Sequence, residues 1–271
     1  MKRTAWMSHA VLTLGAVLFA LPVWVLFAGS TQDQAAIARG ELSLLPDFSR
    51  LGIYARVFAA TPSVGRMLAI SIGMSSVIAI GKIVVSVLSA YAVTFFRFPL
   101  RVACFWTIFV TLMLPVEVRI VPTFSVMAGF GLINTFTGLT LPLMASATAT
   151  LLFRQTFLAV PDELFEAARI DGAGPLRFLW HVLLPVSAPN LAAMFVILFV
   201  YGWNQYLWPL LVATDPRLDT IVIGLVKMIG HDAVTPWDRV MAVGMLAILP
   251  PVVVVVLMQR WFVKGLTEAD K

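Results

Sequence analysis

Residues 161–185 read PDELFEAARIDGAGPLRFLWHVLLP, and this polar segment separates two strongly apolar stretches of the chain. Small residues are concentrated in its first half, where Ala167, Ala168, Gly172 and Ala173 leave a shallow surface. The groove of a partner protein could approach such a surface closely. The segment therefore predicts a helix–turn–helix docking surface, rather than a catalytic loop, on one face of a membrane protein.

The first helix of this segment is predicted to begin after Pro161, with Asp162 as its N-cap. The acidic residues that follow suit the positive end of a helix dipole. Glu166 and Arg169 lie three residues apart, a spacing at which side chains can pair on one helix face. An ordinary amphipathic helix lying at the membrane interface fits the same spacing.

A glycine turn and a second helix complete the segment. Gly172 fits a helix end that needs a positive φ, and Gly174-Pro175 turns the chain. The second helix is predicted over 176–184 and should end before Pro185, since the residue before a proline disfavours the helical region.

The composition is that of an integral membrane protein. Of 271 residues, 60% are hydrophobic and 12% are charged, whereas soluble domains carry about 25% charged residues. The net charge of +5 is expected to report membrane topology rather than affinity for nucleic acid. The single cysteine, Cys104, excludes an internal disulfide and a metal site built from several cysteines.

Apolar stretches long enough to cross a bilayer predict an all-α fold with a single transmembrane domain over 1–271. The first stretch exceeds the apolar length of a signal peptide, which predicts an uncleaved anchor. The six predicted spans are 8–28, 67–95, 102–127, 138–158, 187–211 and 240–261.

The distribution of Lys and Arg predicts that both termini face the cytoplasm. With the N-terminus inside, ten basic residues lie on the inner side and seven on the outer side. Residues close to the spans count most, and Arg97 and Arg101 share a short inner turn. The polar loop 159–186 is therefore expected in the cytoplasm, and the loops 29–66 and 212–239 outside.

The polar segment resembles the loop through which permeases of binding-protein-dependent ABC importers contact their ATPase. The resemblance implies that the matching residues couple the spans to that ATPase. They are Glu166, Ala167, Ala168, Asp171, Gly172 and Ala173, with Leu184-Pro185 closing the motif.

The resemblance covers most of residues 66–267. Within the importer permeases of the carbohydrate-uptake type, the chain most resembles those that transport sn-glycerol 3-phosphate. The resemblance is weaker over 29–60 and 227–238, so binding-protein contacts in the outer loops are left open. The matching stretches are GKIVVS (81–86), FRFPLR (96–101), LPVEVR (114–119), LPLMASA (141–147), YGWNQYLWPL (201–210) and MQR (258–260).

The resemblance implies a multi-pass protein of the bacterial inner membrane, surrounded by lipid and without a nucleic-acid partner. Its expected partners are a second permease subunit in a heterodimer, two ATPase subunits and a periplasmic substrate-binding protein. The chain lacks a Gly-x-x-x-x-Gly-Lys-Ser/Thr loop, so the ATPase subunits would bind ATP and Mg²⁺, and this chain would hold neither cofactor nor metal.

The implied cargo is sn-glycerol 3-phosphate or a related glycerophosphodiester, and the alternative is a neutral sugar or oligosaccharide. An anionic cargo needs cations along its path, whereas a neutral sugar needs mainly aromatic and amide side chains. An intramembrane enzyme would need a cluster of nucleophilic, acid–base or metal-ligating residues, and the sequence contains no such cluster.

Charged residues inside the spans are candidates for the pathway, because burying a charge in a bilayer costs about 2.5–3.5 kcal/mol on insertion scales. Lys82 lies near the middle of the second span and could attract a phosphate. The alternative, an ion pair with Glu117, is the more common arrangement. Arg119 is a second candidate, since Arg can bind phosphate through two hydrogen bonds. Pro115 and Pro122 predict a broken helix around these residues, and simple snorkelling of Arg119 is the alternative.

Span five contains the third candidate cluster, Trp203-Asn204-Gln205-Tyr206. Its amides offer donors and acceptors for hydroxyl groups, and its aromatic rings offer apolar walls. By resemblance to sugar permeases, this span lines the pathway, with Asn204 as the leading residue. Helix–helix hydrogen bonding by the amides is the alternative.

Overall fold

The computed structural model describes residues 2–59, 64–229 and 235–268. Side chains are described throughout these ranges except at 2–5, 111–113, 116, 117 and 262–268. Every regular element of the described residues is helical, as predicted.

The α-helices form in long apolar stretches and end at glycines, prolines and short polar turns. In chain order they are α1 (Lys2–Ser30), α2 (Gln34–Ala38), α3 (Gly52–Ala59), α4 (Val64–Phe95), α5 (Arg101–Met113), α6 (Val116–Gly129), α7 (Phe136–Thr140), α8 (Ala147–Leu158), α9 (Asp162–Ile170), α10 (Pro175–Phe178), α11 (Leu184–Val186), α12 (Ala188–Trp203), α13 (Leu207–Val212), α14 (Ile221–Met228) and α15 (Trp237–Glu268).

Three helices of the described chain are each long and apolar enough to cross a membrane. They are Trp6–Ser30, Val64–Phe95 and Trp237–Trp261, and they correspond to the first, second and sixth predicted spans. Two bent helix pairs raise the number to five if each pair is one span. One pair, Phe136–Leu143 with Ala147–Leu158, bends by 51° within the predicted fourth span.

The predicted third span is two helices rather than one. The helix α5 ends at Met113, and α6 begins after Pro115, because proline lacks the N–H that would continue the helix. The expectation that Pro122 also breaks this stretch is wrong, since Pro122 lies inside α6. The predicted fifth span is likewise interrupted, between Trp203 and Leu207.

The first of two compact units comprises residues 1–69 and 219–250. Its helices α1 and α15 pack closely at Gly29, where the thioether of Met241 lies against the glycine. A Cβ at this position would overlap the sulfur. A small residue at a helix contact lets two membrane helices approach each other.

Polar contacts hold the residues between α1 and α3 in this unit. The Arg50 guanidinium donates to Asp33 at 3.0 Å, and this hydrogen bond lowers the pKa of Asp33 below its usual value. The side-chain hydroxyl of Ser49 donates a hydrogen bond to Asp47, and this bond lowers the pKa of Asp47. The predicted outer loops also include 60–63 and 230–234, which lie outside the described residues.

The second unit comprises residues 70–218 and 251–271 and carries the candidate functional residues. Side chains from α4, α6, α7, α13 and the turn after α7 form its buried apolar cluster. The members of this cluster are Met74, Ile78, Met127, Leu139, Leu143, Trp208, Val212 and Ala213.

Two glycines set the packing of α4 within this unit. A Cβ on Gly202 of α12 would lie 3.0 Å from the Cα of Ser75 on α4. A Cβ on Gly81 of α4 would lie 2.6 Å from the Cγ of Met144. Both contacts are possible only because glycine has no side chain, so α4 is held closely by α12 and by the segment before α8.

We expect Gly202→Val to destabilise the protein by about 1–3 kcal/mol, because the added side chain forces α12 away from the α4 backbone. The thermal unfolding midpoint of the purified protein in detergent measures this effect. Gly129→Ala is the matched control, since a Cβ at Gly129 meets no atom within 4 Å. An unchanged midpoint for Gly202→Val would contradict the close approach of the two helices.

Candidate functional site

The polar segment begins with α9, which runs from Asp162 to Ile170. The prediction that Asp162 caps this helix is wrong, because Pro161 occupies the N-cap position and Asp162 is the first helical residue. The predicted pairing of Glu166 with Arg169 is also absent from the described residues. The Arg169 guanidinium instead lies 5.8 Å from the centre of the Phe165 ring.

The glycine turn is confirmed at Gly172, where φ is +73°. The N–H of Gly172 donates to the carbonyl of Arg169 at 3.1 Å, and the N–H of Ala173 donates to the carbonyl of Ala168 at 2.9 Å. These two bonds are the pattern of a Schellman motif, which satisfies the last carbonyls of a helix. The motif fixes the angle at which the chain leaves α9.

The second helical stretch continues past its predicted end. Pro175–Phe178 is α-helical, Leu179–Leu183 is a π-helical turn, and Leu184–Val186 is α-helical again. The prediction that the helix ends before Pro185 is therefore wrong. A π turn adds one residue to each hydrogen-bonded ring, and this wider turn accommodates the proline ring.

Most of the predicted coupling residues are exposed, as docking requires. Glu166, Ala167, Asp171 and Gly172 are exposed, Ala173 is half-buried, and Ala168 packs inward. The chain also exposes two large apolar side chains beside the turn, Ile170 at 86% and Leu176 at 66%. Sequence analysis did not identify these two residues.

The C-terminal end of α4 is attached directly to the polar segment. The Tyr91 hydroxyl donates a 2.8 Å hydrogen bond to the carbonyl of Pro175. One turn further on, the ring of Phe95 lies 5.4 Å from the rings of both Phe165 and Phe178. These contacts join α4 to both helices of the polar segment, and sequence analysis gave no indication of them.

Near the middle of α4, Lys82 is only 5% exposed. Its Nζ lies 3.5 Å from the centre of the Tyr201 ring, within the range of a cation–π interaction. A helical side chain leans toward the N-terminus of its helix, which brings Lys82 toward the end of α12. The close approach at Gly202 holds the neighbouring Tyr201 against α4.

The predicted partner of Lys82, Glu117, has a side chain that lies outside the described part of the structure. Among the described side chains, no carboxylate pairs with Lys82. Arg119 is half-buried. Arg119 also lines a cavity of about 40 Å³ with Thr123, Pro142 and Trp208 among its neighbours.

The residues of the span-five cluster have different surroundings. Trp203 is 5% exposed and stacks on Phe199, so it belongs to the core of this unit. The side chain of Gln205 donates to the carbonyl of Tyr201 at 3.2 Å, a bond within its own segment and not the helix–helix bond of the alternative. Asn204 is exposed and Tyr206 is half-buried. Only these last two side chains remain available to a pathway in this arrangement.

Comparison with known families gives a match to the family described as binding-protein-dependent transport system inner membrane component. The match covers residues 82–268.

Three curated relatives are similar over nearly their whole length, and each is named sn-glycerol-3-phosphate transport system permease protein UgpE. The protein of Agrobacterium fabrum is 55% identical, over 97% of this chain and 96% of its own. The protein of Rhizobium meliloti is 54% identical over the same shares. The protein of Yersinia pestis is 52% identical, again over 97% and 96%.

Two solved structures share the fold. The crystal structure of a bacterial ABC transporter involved in the import of the acidic polysaccharide alginate matches with a TM-score of 0.82 at 22% identity. It covers 96% of this chain and 97% of that chain. The alginate transporter in complex with a pentasaccharide-bound periplasmic protein matches with a TM-score of 0.64 at 15% identity, over 94% and 93%.

Proposed function

This chain belongs to the binding-protein-dependent transport system inner membrane component family, and we propose that it is the permease subunit of an ATP-driven importer for sn-glycerol 3-phosphate. It is a multi-pass protein of the inner membrane, like its relatives. The observation that carries the proposed cargo is identity of 52–55% over 97% of the chain to permeases named for that cargo.

Two cations within the predicted spans of the second unit, Lys82 and Arg119, support an anionic cargo over a neutral sugar. Lys82 is buried without a described carboxylate partner, and Arg119 is a second, half-buried cation of the same unit. Burying a charge without a partner is unfavourable in a bilayer, so such residues mark substrate pathways. A neutral oligosaccharide would gain little from two cations in this position.

The proposed assembly divides the work among several proteins. A second permease subunit completes the pathway, a periplasmic binding protein delivers the cargo, and two ATPase subunits bind ATP with Mg²⁺. Among the solved neighbours, one is a complex with a periplasmic protein loaded with its saccharide, which supports a partner of that kind. This chain contributes no catalytic residue to ATP hydrolysis.

The polar segment is proposed to dock into the ATPase subunit. Glu166, Ala167, Asp171 and Gly172 present a small, exposed surface, with Ile170 and Leu176 as apolar side chains on either side of the turn. A cluster of exposed apolar residues bounded by polar ones is typical of a protein interface. The Schellman motif at Gly172 keeps this surface in one conformation.

Movement of the docked segment would be passed on through α4. The Tyr91–Pro175 hydrogen bond and the ring contacts of Phe95 with Phe165 and Phe178 join the C-terminal end of this helix to the segment. The helix is 32 residues long, which corresponds to about 48 Å. A displacement at its C-terminal end would therefore reach Lys82 without any flexible joint.

Reconstitution of the complete importer in proteoliposomes tests the cargo. We expect ATP-driven uptake of glycerol 3-phosphate, together with stimulation of ATP hydrolysis by binding protein loaded with that ligand. Both should require this chain, because it forms part of the pathway.

Two controls accompany this experiment. The isolated chain should hydrolyse no ATP, and detectable hydrolysis would contradict its role as a transport subunit. A maltooligosaccharide-loaded binding protein should give no stimulation. If the neutral sugar were imported and glycerol 3-phosphate were not, the proposed cargo would be wrong.

Gly172→Ala tests the coupling role. A Cβ at Gly172 meets no atom within 4 Å, so the only penalty is the positive φ, which costs a non-glycine residue about 1–2 kcal/mol. We expect the stimulation of ATP hydrolysis by loaded binding protein to fall, because the turn no longer holds its docking geometry.

The matched control is Gly174→Ala, which has the same open surroundings but a φ of −67°. Alanine adopts this φ without strain, so the control should behave as the wild type. Gly172→Asn should retain part of the coupling, since Asn tolerates the left-handed region better than Ala. Equal stimulation in Gly172→Ala and Gly174→Ala would count against the role of the turn.

A further inference from the structure

Lys82 is a buried cation with no carboxylate partner among the described side chains. We propose that Lys82 and Arg119 together bind the phosphate monoester group of the cargo in transit, and that the ring of Tyr201 holds the Lys82 ammonium when no phosphate is bound. This inference rests on the proposed function, and it assigns the part of the pathway that recognises the anionic group.

The sequence itself leaves the cations in excess. Across the predicted spans 67–95, 102–127, 138–158 and 187–211, the charged residues are Lys82, Glu117, Arg119 and Arg154. Three cations therefore share one carboxylate. Even a complete ion pair between Glu117 and one of them would leave the other two without a partner in these spans.

Arg154 differs from the other two cations, because it lies near the predicted inner end of its span. Its guanidinium lies 4.9 Å from the centre of the Phe105 ring. An arginine close to a helix end can extend its charge to the membrane surface. Lys82 lies buried near the middle of α4, and Arg119 is half-buried in α6, so these two are the candidates for the unmatched charge.

Tyr201 is a weak substitute for an anion. Its ring face lies 3.5 Å from Lys82 Nζ and attracts the ammonium through its quadrupole, but it carries no net charge. A phosphate monoester carries a charge of about −1.5 to −2 at pH 7 and three strong acceptor oxygens. The ammonium on its flexible stem would therefore leave the ring for the phosphate.

Arg119 is placed to share the same phosphate. It lines the cavity beside Pro142 and Leu143, and the next residue, Met144, packs on Gly81 beside Lys82, so an anion held here would contact both cations. The planar guanidinium can bind two phosphate oxygens at once.

The packing beside Arg119 leaves little free space. The cavity beside Arg119 has a volume of about 40 Å³, which is room for roughly one water molecule. It is lined by Pro142 and Leu143, and the next residue, Met144, packs on Gly81 immediately before Lys82. Separation of the segment 142–144 from α4 would open the cavity toward Lys82.

The complete importer in proteoliposomes tests the proposal, with uptake of glycerol 3-phosphate and loaded-binding-protein-stimulated ATP hydrolysis measured in parallel. We expect Lys82→Met and Arg119→Gln each to lower uptake about ten- to a hundredfold, the size of one lost charge-assisted hydrogen bond. Stimulated ATP hydrolysis should stay within about twofold of the wild type, because docking of the partner proteins does not involve these residues.

Conservative variants separate charge from shape. Lys82→Arg should recover most of the uptake, because it keeps the positive charge. Tyr201→Phe should transport as the wild type, since it keeps the ring face, whereas Tyr201→Leu should not. Arg97→Gln removes one exposed positive charge from the loop between α4 and α5 and is the matched control, with no expected effect.

Three results would overturn the proposal. Uptake by Lys82→Met within about twofold of the wild type would show that the ammonium does not bind the cargo. Parallel loss of uptake, assembled complex and stimulated ATP hydrolysis would show that Lys82 pairs with a carboxylate of the partner permease. If the wild-type importer took up no phosphate monoester, the proposed function itself would be wrong and the site would fail with it.

Discussion

The close packing of α4 is the constraint on which the functional features of the second unit depend. At Gly202 the backbone of α12 comes so near that a Cβ would lie 3.0 Å from the Cα of Ser75. That approach keeps Tyr201 beside α4. Among the cation–ring contacts of the described residues, the one made by Lys82 is with Tyr201. At its other end, α4 is joined to the polar segment by Tyr91. One helix thus carries both a buried cation held beside Tyr201 and a contact with the polar segment.

The lipid environment explains why these features matter more here than in a soluble protein. Two apolar helices gain little from associating in a bilayer, where lipid tails are as apolar as leucine, so small residues and polar contacts decide the packing. An unmatched cation in the same environment is unfavourable, and it persists where it serves a pathway. The proposed cargo resolves this conflict, because its phosphate group brings the missing negative charge into the membrane only during transport.

The sequence predicted the parts of the fold that depend on local pattern. Long apolar stretches identified α1, α4 and α15, and the requirement for positive φ identified Gly172. It did not predict how helix breaks are accommodated: Pro122 stays within α6, and a π turn lets the chain continue past Pro185. The contacts of Lys82 with Tyr201 and of Tyr91 with Pro175 join residues 119 and 84 positions apart along the chain. Such contacts follow from tertiary packing, and neither spacing nor composition encodes them.

Whether the polar segment and α4 move as one body is tested most directly by a covalent link between them. Cysteines at positions 91 and 175 in a Cys104→Ser background can be joined by a short, reducible thiol crosslinker in the assembled importer. If the two elements move together, the crosslinked complex should retain the uptake and stimulated ATP hydrolysis of the same variant without crosslinker. Loss of uptake on crosslinking, with recovery after reduction, would show that α4 and the segment must separate during transport and would contradict the account.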